Sequence, residues 1–109
     1  MIEPRLAAGL LVAALRRRIE AEGGVATVLS RGDDVAGAIL LLLADRGESR
    51  RIVERVWRFD GGHGLEGVGP AEPAEIDDYL ARRRRADPDL WAVEIDHPEA
   101  HRIAGEILL

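Results

Sequence analysis

Ala38-Ile39-Leu40-Leu41-Leu42-Leu43-Ala44 is the stretch that decides the fold. Seven apolar residues without alternation, bracketed by Gly37 and Asp45, have the length of a strand and fall short of an ordinary buried helix. A strand with no polar face must be covered on both sides, which places it at the centre of a sheet. Downstream, Asp45-Arg46-Gly47 makes a tight turn into a third strand, Arg51–Phe59. Its uneven alternation puts Val53, Arg55, Trp57 and Phe59 on one face. Asp60-Gly61-Gly62-His63-Gly64 is a flexible connection, after which Leu65–Val68 pairs back as a short edge strand. Upstream, the β-branched run Val25–Ser30 is a strand, and Arg31-Gly32-Asp33-Asp34 is a turn by composition.

Helices flank this meander. Leu11, Leu15 and Ile19, with Ala8 and Val12 beside them, form one apolar stripe over residues 6–22. Gly23-Gly24 ends that helix, and Arg16, Arg17 and Arg18 lie near its C-terminus, where cations favour the helix dipole. A second helix spans 73–86, with Pro73 at its first position and Ile76, Tyr79, Leu80 and the stem of Arg83 on one face. Asp87-Pro88-Asp89 stops it. Leu90–Asp96 is a last strand, with Trp91, Val93 and Ile95 alternating to one side. The tail from Pro98 reads equally as a helical turn or a returning strand, with Gly105 against the helix.

The resulting order is α-β-β-β-(β)-α-β, an α+β domain over residues 1–109. Short connections favour an antiparallel sheet of four or five strands with both helices packed on one face. Only the step through the second helix is long enough for a crossover, so the last strand is the one that can run parallel to a neighbour and make the sheet mixed.

The 109 residues carry a net charge of −5, which opposes nonspecific attachment to nucleic acid or anionic membranes. No apolar run is long enough to span a bilayer. The apolar stretch near the start ends in three arginines without a cleavage site, so it does not read as a signal peptide. With no cysteine there is no disulfide, thiolate metal site or thiol nucleophile, and a cytoplasmic location is the expectation. All fifteen basic side chains are arginine, which excludes Schiff-base chemistry on a lysine. Lysine, asparagine and glutamine are absent together, which reads as compositional bias of the genome.

Glu3-Pro4-Arg5-Leu6, the turn Arg31-Gly32-Asp33 followed by Ala36-Gly37-Ala38, and Asp87-Pro88-Asp89-Leu90-Trp91-Ala92-Val93-Glu94-Ile95 together resemble a bacterial family catalogued as domain of unknown function 1491. The resemblance runs in order from Glu3 to Asp96, and Asp-Pro-Asp-Leu-Trp is its most specific string. It implies a short single-domain protein and brings no activity, cofactor or catalytic residue. Leu42 stands where a lysine is expected in the second strand, and Leu11 and Ala13 where the first helix often has an aromatic and a polar residue.

Several constellations are candidate sites. Asp33 and Asp34 are adjacent carboxylates able to hold a divalent cation or share acid–base work, although aspartate after glycine is also ordinary turn chemistry. His97 and His101 are four apart with Glu94, Asp96 and Glu99 nearby, but Pro98 separates them and makes His97 a cap outside any helix. Trp91 among Asp87, Asp89, Glu94 and Asp96 is a stacking platform or, by its alternation, core. Trp57 and Phe59 mark an interface if their face is open. Arg82–Arg85 is the densest charge, suited to phosphate or RNA, yet no aromatic residues interleave with it. His63 lies among glycines that match no phosphate-binding loop.

With few nucleophiles and no cofactor loop, the leading expectation is a non-enzymatic binding or protein-interaction module, a homodimer through an exposed sheet face or edge. No metal or cofactor is expected. The alternatives are a metal-assisted hydrolase or nuclease using Asp33, Asp34 and the histidines, and an RNA or phosphate binder through Arg82–Arg85. The candidate binding residues are Arg31, Asp33, Trp57 and Trp91; their convergence on one concave surface would define a ligand site.

Overall fold

The computed structural model describes residues 7–109. The elements are α1 (Ala8–Ala21), β1 (Val25–Ser30), β2 (Ile39–Asp45), β3 (Glu48–Arg58), β4 (Gly62–Val68), α2 (Pro73–Ala86), β5 (Trp91–Asp96) and α3 (Ala100–Leu108). Glu3–Leu6, including the expected first helical residue, lie outside the described residues. The α+β class holds, with a five-stranded mixed sheet in the order β1-β5-β2-β3-β4. β5 runs parallel to β2 and antiparallel to β1; the remaining pairs, β2–β3 and β3–β4, are antiparallel.

The central strand behaves as its composition requires. Ile39, Leu41 and Leu43 enter one core with α1, α3 and the inward residues of β5. Leu40 and Leu42 enter another with Ile52, Ile76, Leu80 and Leu90. The expectation of two helices on one face is therefore corrected. Among the described residues there are three helices, and α2 covers the face opposite α1 and α3. The reason is β2 itself, because two apolar faces demand a cover on each side.

The tail left open by the sequence is helix α3. Ala100, Ile103, Ala104 and Leu108 form its buried stripe, which outweighs the single Gly105. An ion pair joins it to α1: Arg18 bridges Glu22 and Glu106, while within α3 Arg102 bonds Glu106 at 2.8 Å. The β2–β3 hairpin turns through Arg46 and Gly47, both at positive φ, and the Asp96 carboxylate accepts their two N–H groups at 2.9 and 2.8 Å. The end of β5 thus closes the neighbouring hairpin.

Strand order brings the end of β1 and the starts of β2 and β5 to the same end of the sheet. There the loop 31–38 passes close under residues 89–91. A Cβ on Gly32 would lie 2.2 Å from the Asp89 carbonyl oxygen and 2.7 Å from the Trp91 ring; on Gly37 the distances are 2.3 and 2.9 Å. These glycines are required for space. Gly32→Ala is expected to lower unfolding free energy in urea by about 1–3 kcal/mol or more, as overpacking does. Gly62→Ala, with nothing within 4 Å of the new Cβ, should stay within about 0.5 kcal/mol of the parent.

Candidate functional site

The loop between β1 and β2 is built on Asp33. Its carboxylate accepts the N–H groups of Val35 (3.0 Å) and Ala36 (2.8 Å), closing a turn of the kind aspartate favours. The Ala36 and Val35 N–H groups hold this carboxyl below the usual carboxylate range, against a smaller opposing effect of desolvation. The Asp33 N–H donates to the Asp89 carbonyl at 3.0 Å, and the Asp33 carbonyl accepts Trp91 Nε1–H at 2.7 Å. Trp91 is buried with 4% exposure, so the bond to its indole answers a polar group that water cannot reach.

The same loop caps α1. That helix has no side-chain cap; instead the N–H groups of Ala8 and Gly9 donate to the carbonyls of Val35 and Asp34 at 3.2 and 2.9 Å. Two otherwise orphaned helix donors are satisfied in this way. Arg31 pairs with Asp34 at 3.1 Å, and its guanidinium carbon lies 5.7 Å from the Trp91 ring centroid, within cation–π range. Arg31, Asp33 and Trp91 are thus brought together. Trp57 lies elsewhere.

Beside this cluster runs a groove of about 600 Å³ between α1, β1 and the loop. Leu10, Val12, Val28, Val35 and Trp91 line it, and Arg16 and Arg31 add positive charge. Leu10 and Val35 are 62% and 73% exposed. Sequence reasoning missed both, although Leu10 sits off the buried stripe of α1 and was a visible signal. The groove can accept an apolar group carrying an anionic end. Its carboxylate, Asp34, pairs with Arg31, the neighbouring Asp33 is engaged by backbone, and the Ser30 hydroxyl donates to the Leu90 carbonyl at 3.4 Å.

The other candidates separate. Trp57 (59% exposed) and Phe59 (fully exposed) sit at the far end of the β3–β4 hairpin. β2 pairs with β3 only as far as Glu54, so the hairpin continues beyond as a two-stranded arm in which Trp57 faces His63 edge-on at 4.9 Å. His97 accepts the Glu99 N–H at Nδ1 (2.9 Å), and its Nε2 meets the Glu22 carbonyl at 3.0 Å. It lies outside α3, whose N-cap is Glu99, and closes the turn before that helix with both ring nitrogens occupied. Among the described residues no three His, Asp or Glu side chains are placed to hold a metal ion. Within Arg82–Arg85, Arg83 turns to the core edge. It forms a two-pronged pair with Glu54 (3.0 and 3.1 Å) and bonds the Tyr79 hydroxyl at 2.9 Å. Its pKa is raised chiefly by Glu54.

Fold and site together define a small mixed-sheet α+β protein with an apolar groove at the end of its sheet. The chain belongs to the family of proteins of unknown function DUF1491, whose profile matches residues 6–105. It is similar to a DUF1491 family protein from Caulobacter crescentus CB15. The crystal structure of that protein has a TM-score of 0.81 and 37% identity over 91% of this chain and 94% of that one. An NMR structure of a DUF1491 family protein from the same organism gives 0.76 and 37% over 90% and 91%. The solution structure of protein Atu0922 from A. tumefaciens gives 0.72 and 33% over 87% and 88%. None of the curated proteins matches the chain.

Two measurements check the cluster. Because the folded pKa of Asp33 is lowered, its stabilisation is complete above the ordinary carboxyl value near pH 4 and is lost as pH falls through the folded value. Asp33→Asn keeps an acceptor oxygen and removes the charge, so thermal midpoints of parent and variant should differ at neutral pH and converge in acid. Trp91→Phe preserves the ring but orphans the Asp33 carbonyl, and should lower unfolding free energy by about 1–3 kcal/mol.

Proposed function

We propose that this protein is a non-enzymatic, cytoplasmic interaction module that works as a homodimer joined through β1. The observation that carries the reading is the character of that edge strand. β1 pairs only with β5, and its sequence Val-Ala-Thr-Val-Leu-Ser contains no charge and no proline. Val25 and Leu29 are 61% and 41% exposed on its outer face. Edge strands of monomers are ordinarily blunted by charge, proline or irregularity. The opposite edge, β4, is blunted: it carries three glycines, a histidine and a glutamate. β1 has only a bulge after Val28.

The partner is a second copy because the pattern is self-complementary. Antiparallel pairing about Thr27 places Val25 opposite the partner's Leu29 and Ala26 opposite the partner's Val28, with the two Thr27 residues facing. Exposed apolar side chains then meet exposed apolar side chains. The groove shares Val28 with this edge, so pairing extends its floor. Light scattering after size exclusion over a wide concentration range should return twice the monomer mass. Val25→Lys with Leu29→Lys, both at exposed positions, should leave a folded monomer, weakening association roughly tenfold or more. A strict monomer at every concentration overturns the reading.

A second reading is favoured by the β3–β4 arm, which displays two of the four aromatic residues of the chain to solvent. Exposed aromatics on a fixed strand pair are the usual anchors of a protein contact. Trp57→Ala with Phe59→Ala should leave the β1 dimer intact. Dissociation by these changes, with the lysine variant still dimeric, would move the contact to the arm.

A further inference from the structure

Arg31 at the end of β1 and Arg84 and Arg85 near the end of α2 meet around one depression of about 410 Å³, whose other lining residues are Ser30, Ala81 and Pro88. Residues 81, 84 and 85 recur at the three- and four-residue spacing of one helix face, which carries Arg84 and Arg85 to the same side, and Pro88 follows just beyond the helix end. Arg83 is withdrawn to Glu54, and Arg82 does not line the depression. Among the described residues Arg84 and Arg85 form no ion pair, and the acid bonded to Arg31 is Asp34. Three arginines therefore line one depression, and among the described residues Asp34 is the one acid paired with any of them, in a chain whose net charge is −5. Arg31 is held in place by that carboxylate and by the Trp91 ring.

We infer that Arg31, Arg84 and Arg85 form a binding site for a phosphate monoester. Planar guanidinium forks match tetrahedral oxyanions in pairs of parallel hydrogen bonds, and several together can neutralise a dianion. The depression has the size of a small-ligand site. A nucleic-acid backbone fits less well, because each of its diesters carries one charge and no aromatic residue lines the depression for base stacking. The site lies on the α2 face of the sheet and does not depend on pairing through β1.

Phenyl phosphate and inorganic phosphate, titrated by calorimetry at constant ionic strength, test the site. Saturable binding of phenyl phosphate should strengthen between about pH 5 and pH 7.5, as this monoester loses its second proton near pH 6 while the arginines stay charged. Arg84→Gln with Arg85→Gln should weaken it about tenfold or more, whereas Arg82→Gln should change it less than about twofold. A phosphoserine peptide in a parallel arm tells whether a protein or a small molecule presents the group, since the true source binds more tightly than inorganic phosphate. Undiminished binding by the double variant, an equal loss in Arg82→Gln, or equal affinity for an oligonucleotide without terminal phosphates overturns the assignment. A monomeric protein that binds phenyl phosphate would refute the β1 dimer alone, and a dimer that ignores phosphate would refute this site alone.

Discussion

β2 has no polar side chain from Ile39 to Ala44, and every one of those residues is buried. Water is excluded from both of its faces, so one helical layer cannot satisfy it. The chain meets the requirement asymmetrically. α1 and α3 together cover the wider face, where Ile39, Leu41 and Leu43 join the inward side of β5; α2 alone covers Leu40, Leu42 and Ile52. Since α2 leads from the edge strand β4 to β5, it must cross the sheet, and β5 arrives parallel to β2, between β2 and β1.

That insertion explains why the loop between β1 and β2 has its character. The two strands are separated by β5, so the loop must pass over the start of the intruding strand. Gly32 and Gly37 let the backbone lie against Asp89 and Trp91, and Asp33 supplies the bonds that fix it there. The residues that carry the family likeness in this region are accounted for by this passage and by the capping of α1. Arg31 is different. It stands at the rim, touching the groove on one face and the arginine-lined depression on the other.

Much of the fold was legible from side-chain periodicity. The stripe Leu11-Leu15-Ile19 marked α1, Pro73 and the late arginines bounded α2, and the uncharged run at 38–44 marked the centre of the sheet. Strand order was not legible, because the pairing of residue 25 with residue 96 leaves no local trace in either segment. The layering was misread for a related reason: short connections argue for one covered face, and only the composition of β2, taken strictly, argues for two. α3 was obscured by Gly105, whose cost is local while the burial of Ile103 and Leu108 is tertiary. At the site, Asp33 read correctly as turn chemistry and Trp91 as core. The four consecutive arginines, by contrast, hid three different roles that helical geometry separates: Arg83 bound to Glu54, Arg82 outside the depression, and Arg84 with Arg85 lining it.

The sheet topology also has a consequence in time. Among the described residues the only strand bonded to β1 is β5, and the loop that caps α1 is itself held by Trp91. During synthesis α1 and β1 are made before residues 91–96, which form the strand that β1 pairs with. Until then β1, uncharged and β-branched, has no hydrogen-bonded neighbour on either side. The meander β2–β3–β4 can form from near neighbours during that interval, but closure of the sheet waits until β5 has been made, when the slow, long-range pairing becomes possible.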